Sequence, residues 1–347
     1  MQFIMPLMLR KRFNLFLLSL LVFICLASCA PAKGNMYPLS GRYIREDKLF
    51  EELSRLSQLQ PAVAKLRIIG FSSQESIPIY ALELSTNKEA KQVLIIGQHH
   101  GDEVLGVNVA TAFAEKLLSA YATNPATRKM LHDYSFWIVP TLNPEGFRIV
   151  SSGIYQFKRK NNSDTNANKK LDLRTDGVDL NRNYPVFWDI DPETNLNSPN
   201  YKGAEPASES EIRSIITLAQ QHNFKIAIFF HSSASGAYSE KLYLPARGNN
   251  SPLYQETSAL AEQYAGSVKC DYCSGTYTVH NGTSSEVGNA RNFFFHRLGT
   301  KAFLVEIGGV NKKGQSVIHP SDKMLAKIVQ KHVRALTQLF LELKGQG

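Results

Sequence analysis

Three short apolar runs without polar alternation constrain this 347-residue chain most: "KQVLIIG" at 91–97, "KIAIFF" at 225–230 and "TKAFLVEIG" at 300–308. A strand with one wet face alternates apolar and polar residues, whereas a strand covered on both faces does not. Covering both faces takes helices, and the intervening chain supplies candidates. "GVNVATAFAEKLLSAY" and "EIRSIITLAQQ" have helical apolar spacing, as does the closing "KMLAKIVQKHVRALTQLFLELK", where Ile328, Leu336 and Leu339 fall on the apolar face. "REDKLFEELSRLSQL" is a further helix near the start, and Ser208-Glu209-Ser210-Glu211 reads as a capping box with Ser208 as N-cap. "AKLRIIGFSS" and "IPIYALELS" alternate and suggest two neighbouring strands, with "SFWIVPTLN" as another. The expected fold is α/β: a single domain with a central mixed, mostly parallel twisted β-sheet flanked by helices on both faces.

The chain opens differently. Arg10, Lys11 and Arg12 precede an apolar run from Leu15 to Leu26, followed by small residues, which is the three-part form of an export signal. The run is shorter than the roughly 20 residues that cross a bilayer. Leu26-Ala27-Ser28-Cys29 resembles a bacterial lipobox. Residues 1–28 are therefore expected to be a lipoprotein signal, Cys29 the lipidated N-terminus, 29–40 a tether and 41–345 the folded domain. The expected address is the cell envelope, lipid-anchored (the outer membrane facing the periplasm in a Gram-negative host), or otherwise secretion. Cys270 and Cys273, as Cys-x-x-Cys in an exported chain, read as a possible disulfide.

The leader holds three of the nine net positive charges, leaving +6 on the rest. Much of that lies in Lys158–Arg174, with six basic residues and two acidic ones. It has little aromatic interleaving, which argues against nucleic acid as a partner. The run reads as a solvated loop that also faces an anionic substrate or envelope. The whole of 151–204 is polar, and a loop of that length in a compact domain is usually functional or disordered.

Candidate chemistry gathers at strand ends. His100 and Glu103 stand as His-x-x-Glu after "VLIIG", and His231 follows "KIAIFF". In open α/β sheets ligands bind beyond the carboxyl ends of strands. Two histidines, a carboxylate and a water make the open tetrahedral site of a catalytic zinc. His99 competes with His100, and alternation does not choose between them.

In order and spacing, "QHHGDE", "TLNPEG", "FKRKNN", "DGVDLNRNYP", "YKGAEPASESE", "FFHSS" and "FLVEIGG" resemble the zinc carboxypeptidase family of metallopeptidases, over about residues 40–345. The resemblance implies one Zn2+ per chain on His100, Glu103 and His231, with Glu306 as general base. It implies Arg159 for the oxyanion, and Asn181 and Arg182 for the substrate's terminal carboxylate. The implied partner is a peptide or muropeptide substrate, and a monomer is expected. Three departures stand out. Gly101-Asp102 occupies a position where peptidase members often carry Arg, a form shared with relatives acting on cell-wall peptides or other amides. The family's mobile tyrosine has no clean match: Tyr277 is nearest by spacing, and Tyr272 is an alternative. The specificity position falls on Ser284 or Ser285, small and neutral, which argues against a preference for basic terminal residues. An inactive envelope binding protein on the same scaffold is the alternative of a different class.

Overall fold

The protein is described by a computed structural model covering residues 38–39, 41–248, 250–272, 274–282, 285–310 and 316–343. Eight strands form one sheet in the order β1-β2-β4-β3-β5-β8-β6-β7. They are β1 Ala64–Phe71, β2 Pro78–Leu84, β3 Lys91–Ile96, β4 Tyr134–Val139, β5 Phe224–His231, β6 Lys241–Tyr243, β7 Thr278–His280 and β8 Lys301–Glu306. The central strands β4, β3, β5 and β8 run parallel. The antiparallel hairpin β1–β2 joins β4 on one side, and β6 runs antiparallel to β8 on the other. A separate ribbon pairs β9 Gly309–Val310 with β10 Ser316–Val317.

The unalternating runs are the buried strands. Side chains alternate across a strand, so each run feeds two cores. Val93, Ile95, Phe136, Ile138, Ile228, Phe230, Phe303 and Val305 face one core; Leu94, Ile96, Trp137, Val139, Ala227, Phe229 and Ala302 face the other. The first core is covered by α1 Glu46–Leu59, α2 Leu105–Tyr121, α6 Pro252–Ser267 and α8 Asp322–Glu342, and α3 Pro125–Asp133 and α4 Pro144–Ser151 add to it. The second is covered by α5 Ser210–Gln221 and α7 Ala290–Leu298. The result is a single α/β domain with helices on both sheet faces. In α8, Leu325, Ile328, His332, Leu336 and Leu339 recur at the spacing of one helical face and are buried. Sealing a side chain such as Ile328 in this way stabilises the fold by about 1.5–3 kcal/mol.

Several local expectations change. Helix α5 begins at Ser210 with Glu209 as N-cap and no side-chain cap bond. Ser208 instead uses its hydroxyl to accept from Asn183 Nδ2 and donate to Glu209 Oε1, bonds across the loop that outcompete capping. Leu39, at the end of the expected tether, is buried and its N–H donates to Ser151 O at 3.0 Å.

The basic loop is only partly solvated. Lys158 and Lys160 are buried and donate to the carbonyls of Asp176, Thr175 and Leu196; burial pulls the Lys158 ammonium down to about 8. Lys169, Lys170 and Arg174 are the exposed ones. The long polar segment is ordered by such bonds: Asn161 holds Val178 N and Glu209, and Glu145 accepts the N–H groups of Gln74, Glu75 and Asn162.

Cys270 is disulfide-bonded. Cys273, Ser284, the 1–28 leader and Cys29 lie outside the described residues. Among the described residues no helix is long and apolar enough to cross a membrane.

Candidate functional site

Strand β3 has β4 on one side and β5 on the other, so the chain leaves it in opposite directions. Such a switch point opens a crevice at the carboxyl ends of the strands. His100 and Glu103 occupy the turn after β3, His231 ends β5 and Glu306 ends β8, directly opposite His231 in the register. Two close approaches shape the turn. A Cβ on Gly97 or Gly106 would run into the other's carbonyl, so β3 and α2 meet backbone to backbone. A Cβ on Gly101 would strike Gly146 and the Lys158 carbonyl; without one, Gly101 N donates to Arg159 O at 3.0 Å. The Gly in "HGDE" thus draws the Arg159 segment onto the turn.

One donor atom from each of His100, Glu103 and His231 falls within 4.8 Å of the others, and all three residues are buried. His100 Nδ1 lies 2.8 Å from Glu103 Oε1, His231 Nδ1 lies 2.8 Å from Oε2, and the two Nδ1 atoms are 3.1 Å apart. On its far side His100 Nε2 donates to Asp179 Oδ1 at 2.9 Å, which orients the ring and leaves Nδ1 facing the cluster. Asp179 Oδ2 accepts from Arg159 Nη2 at 2.8 Å, and Arg159 Nη1 donates to Glu103 Oε1 at 3.2 Å. His99 is excluded from the cluster. It is sealed beneath it, stacked on His231 with ring centroids 5.3 Å apart and bonded to the Tyr184 hydroxyl at 3.0 Å.

The electrostatics fit a cation. Burial and Arg159 oppose charge on His100, yet Glu103 and Asp179 outweigh them and raise it to about 9, so the field at this point favours positive charge. Burial holds His231 down to about 4, leaving it neutral with a lone pair to give. Glu103 stays ionised: His100 and His231 overcome its burial. Two imidazole nitrogens and a carboxylate held this way match the donor set of a zinc site. Glu306 differs. Burial first, then the Glu103 charge, pushes its carboxyl up to about 8, and its Oε2 is buried without a hydrogen-bond partner among the described residues.

The cleft holds about 430 Å³ and is lined by the cluster, Arg159, Asn181, Arg182, Glu306 and further polar residues. Asn181 and Arg182 sit on a 3-10 turn, Leu180–Arg182. The Asn181 carbonyl oxygen Oδ1 accepts Ala290 N at 3.0 Å and its Nδ2 lies 3.4 Å from His231 Nε2, while Arg182 Nη1 donates to Asn181 O at 2.9 Å.

Tyr277 does not join them. It is packed into the core, where its hydroxyl lies 3.3 Å from His332 Nε2. Its neighbour Thr278 begins edge strand β7, and the ring falls on that strand's inner side against α8. Tyr272 is also absent from the cleft lining, where the tyrosines are Tyr238 and Tyr243. Ser285 does line the cleft, but its hydroxyl is taken by Arg291 Nη2. Two residues of the site, Asp179 and Arg291, carry little sign of their roles in the sequence. The first lies inside "GVDLNRN"; the second is signalled only by a charge heading the aromatic run "ARNFFF".

The zinc carboxypeptidase family profile matches residues 49–335. Carboxypeptidase A6 of Mus musculus is 30% identical over 198 residues, 56% of this chain and 42% of that protein. Mast cell carboxypeptidase A of Homo sapiens is 27% identical over 208 residues, 59% of this chain and 47% of that protein. The chain thus spans less than half the length of either relative. Bovine thrombin-activatable fibrinolysis inhibitor, in complex with a tick carboxypeptidase inhibitor, superimposes with TM-score 0.72 at 21% identity, covering 88% of this chain and 98% of that one. A metallocarboxypeptidase from Burkholderia cenocepacia gives 0.61 at 17%, covering 87% and 70%. These two likenesses concern the fold. The profile match spans most of the chain and contains the whole strand-end cluster, and on that ground this protein belongs to the zinc carboxypeptidase family.

Proposed function

We propose that the chain is an exported, monomeric zinc metallocarboxypeptidase that hydrolyses the C-terminal peptide bond of peptides. The observation that carries this reading is the meeting of His100, Glu103 and His231 at one point with Glu306 in register beside them. His100, Glu103 and His231 would hold one Zn2+, which when bound lowers the pKa of a water toward about 7 and polarises a carbonyl. Glu306 is the general base: its free Oε2 takes a proton from water and passes it to the leaving amine. Arg159, fixed by Asp179, presents its guanidinium beside Glu103 for the oxygen that gains charge. Arg182 offers a guanidinium fork for the terminal carboxylate, and Asn181 holds that turn against α7 and His231. Residues 1–28 act as the lipoprotein signal, Cys29 carries the lipid and 41–345 is the catalytic domain in the cell envelope; the leader's basic, apolar and small-residue segments support this. A cell-wall stem peptide is a second substrate reading, supported by that address and by "HGDE".

The test is release of single C-terminal residues from free-ended peptides. Chelation should abolish it, amidation of the end should suppress it, and Glu306→Gln should lower kcat by about 10²–10⁴ while retaining zinc. Equal hydrolysis of amidated peptides contradicts the role of Arg182, and an active Glu306→Gln contradicts the base.

A further inference from the structure

Arg291 stands in the first turn of α7, in the wall of the same cleft as Arg182. It is 6% exposed. Its Nε donates to Leu244 O at 3.0 Å and its Nη2 to the Ser285 hydroxyl. Those are the only hydrogen bonds it makes among the described residues, although a guanidinium carries five N–H groups. No carboxylate among the described residues lies within ion-pair distance. Burial, and then the neighbouring Arg182, pull its guanidinium down to about 10, and Glu306 and Tyr243 only partly offset them. A structural arginine at this depth ordinarily faces a carboxylate, because an unpaired buried charge is costly. Arg291 shares the cleft wall with Tyr243, Asn281, Ser285, Val287 and Asn289; the acids of that cleft are Glu103 and Glu306 of the strand-end cluster, and Glu306 acts on Arg291 without forming an ion pair with it.

We propose that Arg291 selects the side chain of the residue being removed, and that this side chain carries a carboxylate. The inference rests on the carboxypeptidase reading above: one terminal residue brings two carboxylates, its α-carboxylate to Arg182 and its side chain to Arg291. Two arginines on neighbouring elements of one cleft match such a residue, and the same charge repels lysine and arginine. The second carboxylate belongs to Glu or Asp at the end of an ordinary peptide, or to a dicarboxylic residue at the end of a cell-wall stem peptide. The chemistry is shared, and the experiment separates the sources.

Zinc-loaded enzyme is assayed on peptides identical but for the last residue: Glu, Asp, Leu, Phe or Lys. A parallel arm uses stem peptides ending in a dicarboxylic diamino acid or in Ala. The expected kcat/KM for acidic ends exceeds that for Leu or Phe by about tenfold or more, mainly through KM, with Lys poorest. Whichever arm is cut fastest identifies the source. In Arg291→Gln the ratio of kcat/KM for the Glu peptide over the Leu peptide should fall by about tenfold or more, toward one, and Arg291→Lys should restore part of that ratio. A uniform loss on all peptides would mean that Arg291 only braces the loop, and overturns the inference. Should Arg291→Gln not fold, the native ranking decides, and a preference for Leu, Phe or Lys is fatal. Release of nothing from any peptide by zinc-loaded protein removes both the carboxypeptidase reading and this one, whereas release indifferent to the last side chain removes only this one.

Discussion

Replacing Asp179 with asparagine keeps the shape of a sealed side chain and changes only what its two terminal atoms can do. Both are acceptors in the native cleft. Oδ1 takes His100 Nε2–H and Asn181 N–H, each at 2.9 Å; Oδ2 takes Arg159 Nη2 at 2.8 Å and Nε at 3.3 Å. An amide has one oxygen, so in either orientation its NH2 group opposes a donor. If the oxygen stays toward His100, the Arg159 fork loses its carboxylate; if it turns, His100 loses the acceptor that aims Nδ1 at the cluster. Outer partners of metal-binding histidines typically account for 10- to 100-fold in metal affinity, or about 1.4–2.8 kcal/mol. Breaking one side of a buried ion pair costs about 3–5 kcal/mol of fold stability.

Zinc affinity by chelator competition, and urea denaturation of the metal-free proteins, read the two effects separately. The pH dependence has a definite sign. Burial works against the Asp179 charge, but Arg159 and His100 overcome it and hold the carboxyl well below its ordinary range. Its stabilisation is therefore complete above the unfolded value near 3.9 and is lost as pH falls through the lower folded value. The stability gap between native protein and Asp179→Asn should be constant from pH 8 to about 5 and close below about 4. Zinc affinity within twofold of native, together with equal denaturation midpoints at pH 7, would refute the reasoning.

Glu211 is fully sealed, and burial first, with Glu145 and Glu209 adding to it, lifts its carboxyl to about 7 despite the Ser73 hydroxyl. Its folded form prefers the proton, so this group costs stability as pH rises from about 4.3 through 7. Glu211→Gln should match native Tm near pH 4 and exceed it at pH 8, and a gap that shrinks with rising pH would contradict this. If Cys29 carries the lipid, Cys29→Ser should move the protein from the membrane pellet to the soluble fraction without changing kcat/KM on a peptide. Unaltered fractionation would put the anchor elsewhere.

The His99-His100 pair, Glu103 and His231 could be picked out in the sequence because each sits at or just past an unalternating apolar run, and the family resemblance added Glu306 at the end of another. Burial on both faces makes such runs unambiguous strands, and the strand end is where an open sheet receives ligands. The register that sets Glu306 opposite His231 is of a different kind, since 75 residues of chain separate them and only strand pairing decides the neighbour. The same limit explains the misplaced features. Spacing along the chain points to Tyr277, but a ring just before an edge strand can face either way, and packing against α8 and His332 turns it inward. Lys158 and Lys160 looked like solvated loop charges because composition does not show which carbonyls a loop will fold around.

What the sequence determined alone, then, was whatever depends on local period and short spacing: buried strands, amphipathic helices, a His-x-x-Glu turn and the segmented leader. What the tertiary structure decided was every relation between distant segments. It chose His100 over His99 by rotating one ring toward His231 and stacking the other beneath it. It bound Arg159 to Asp179 across the loop and left Arg291 in the cleft wall without a carboxylate partner among the described residues. Hydrogen bonds and charges act over a few ångströms of space, and chain separation carries no information about that distance until the sheet has been assembled.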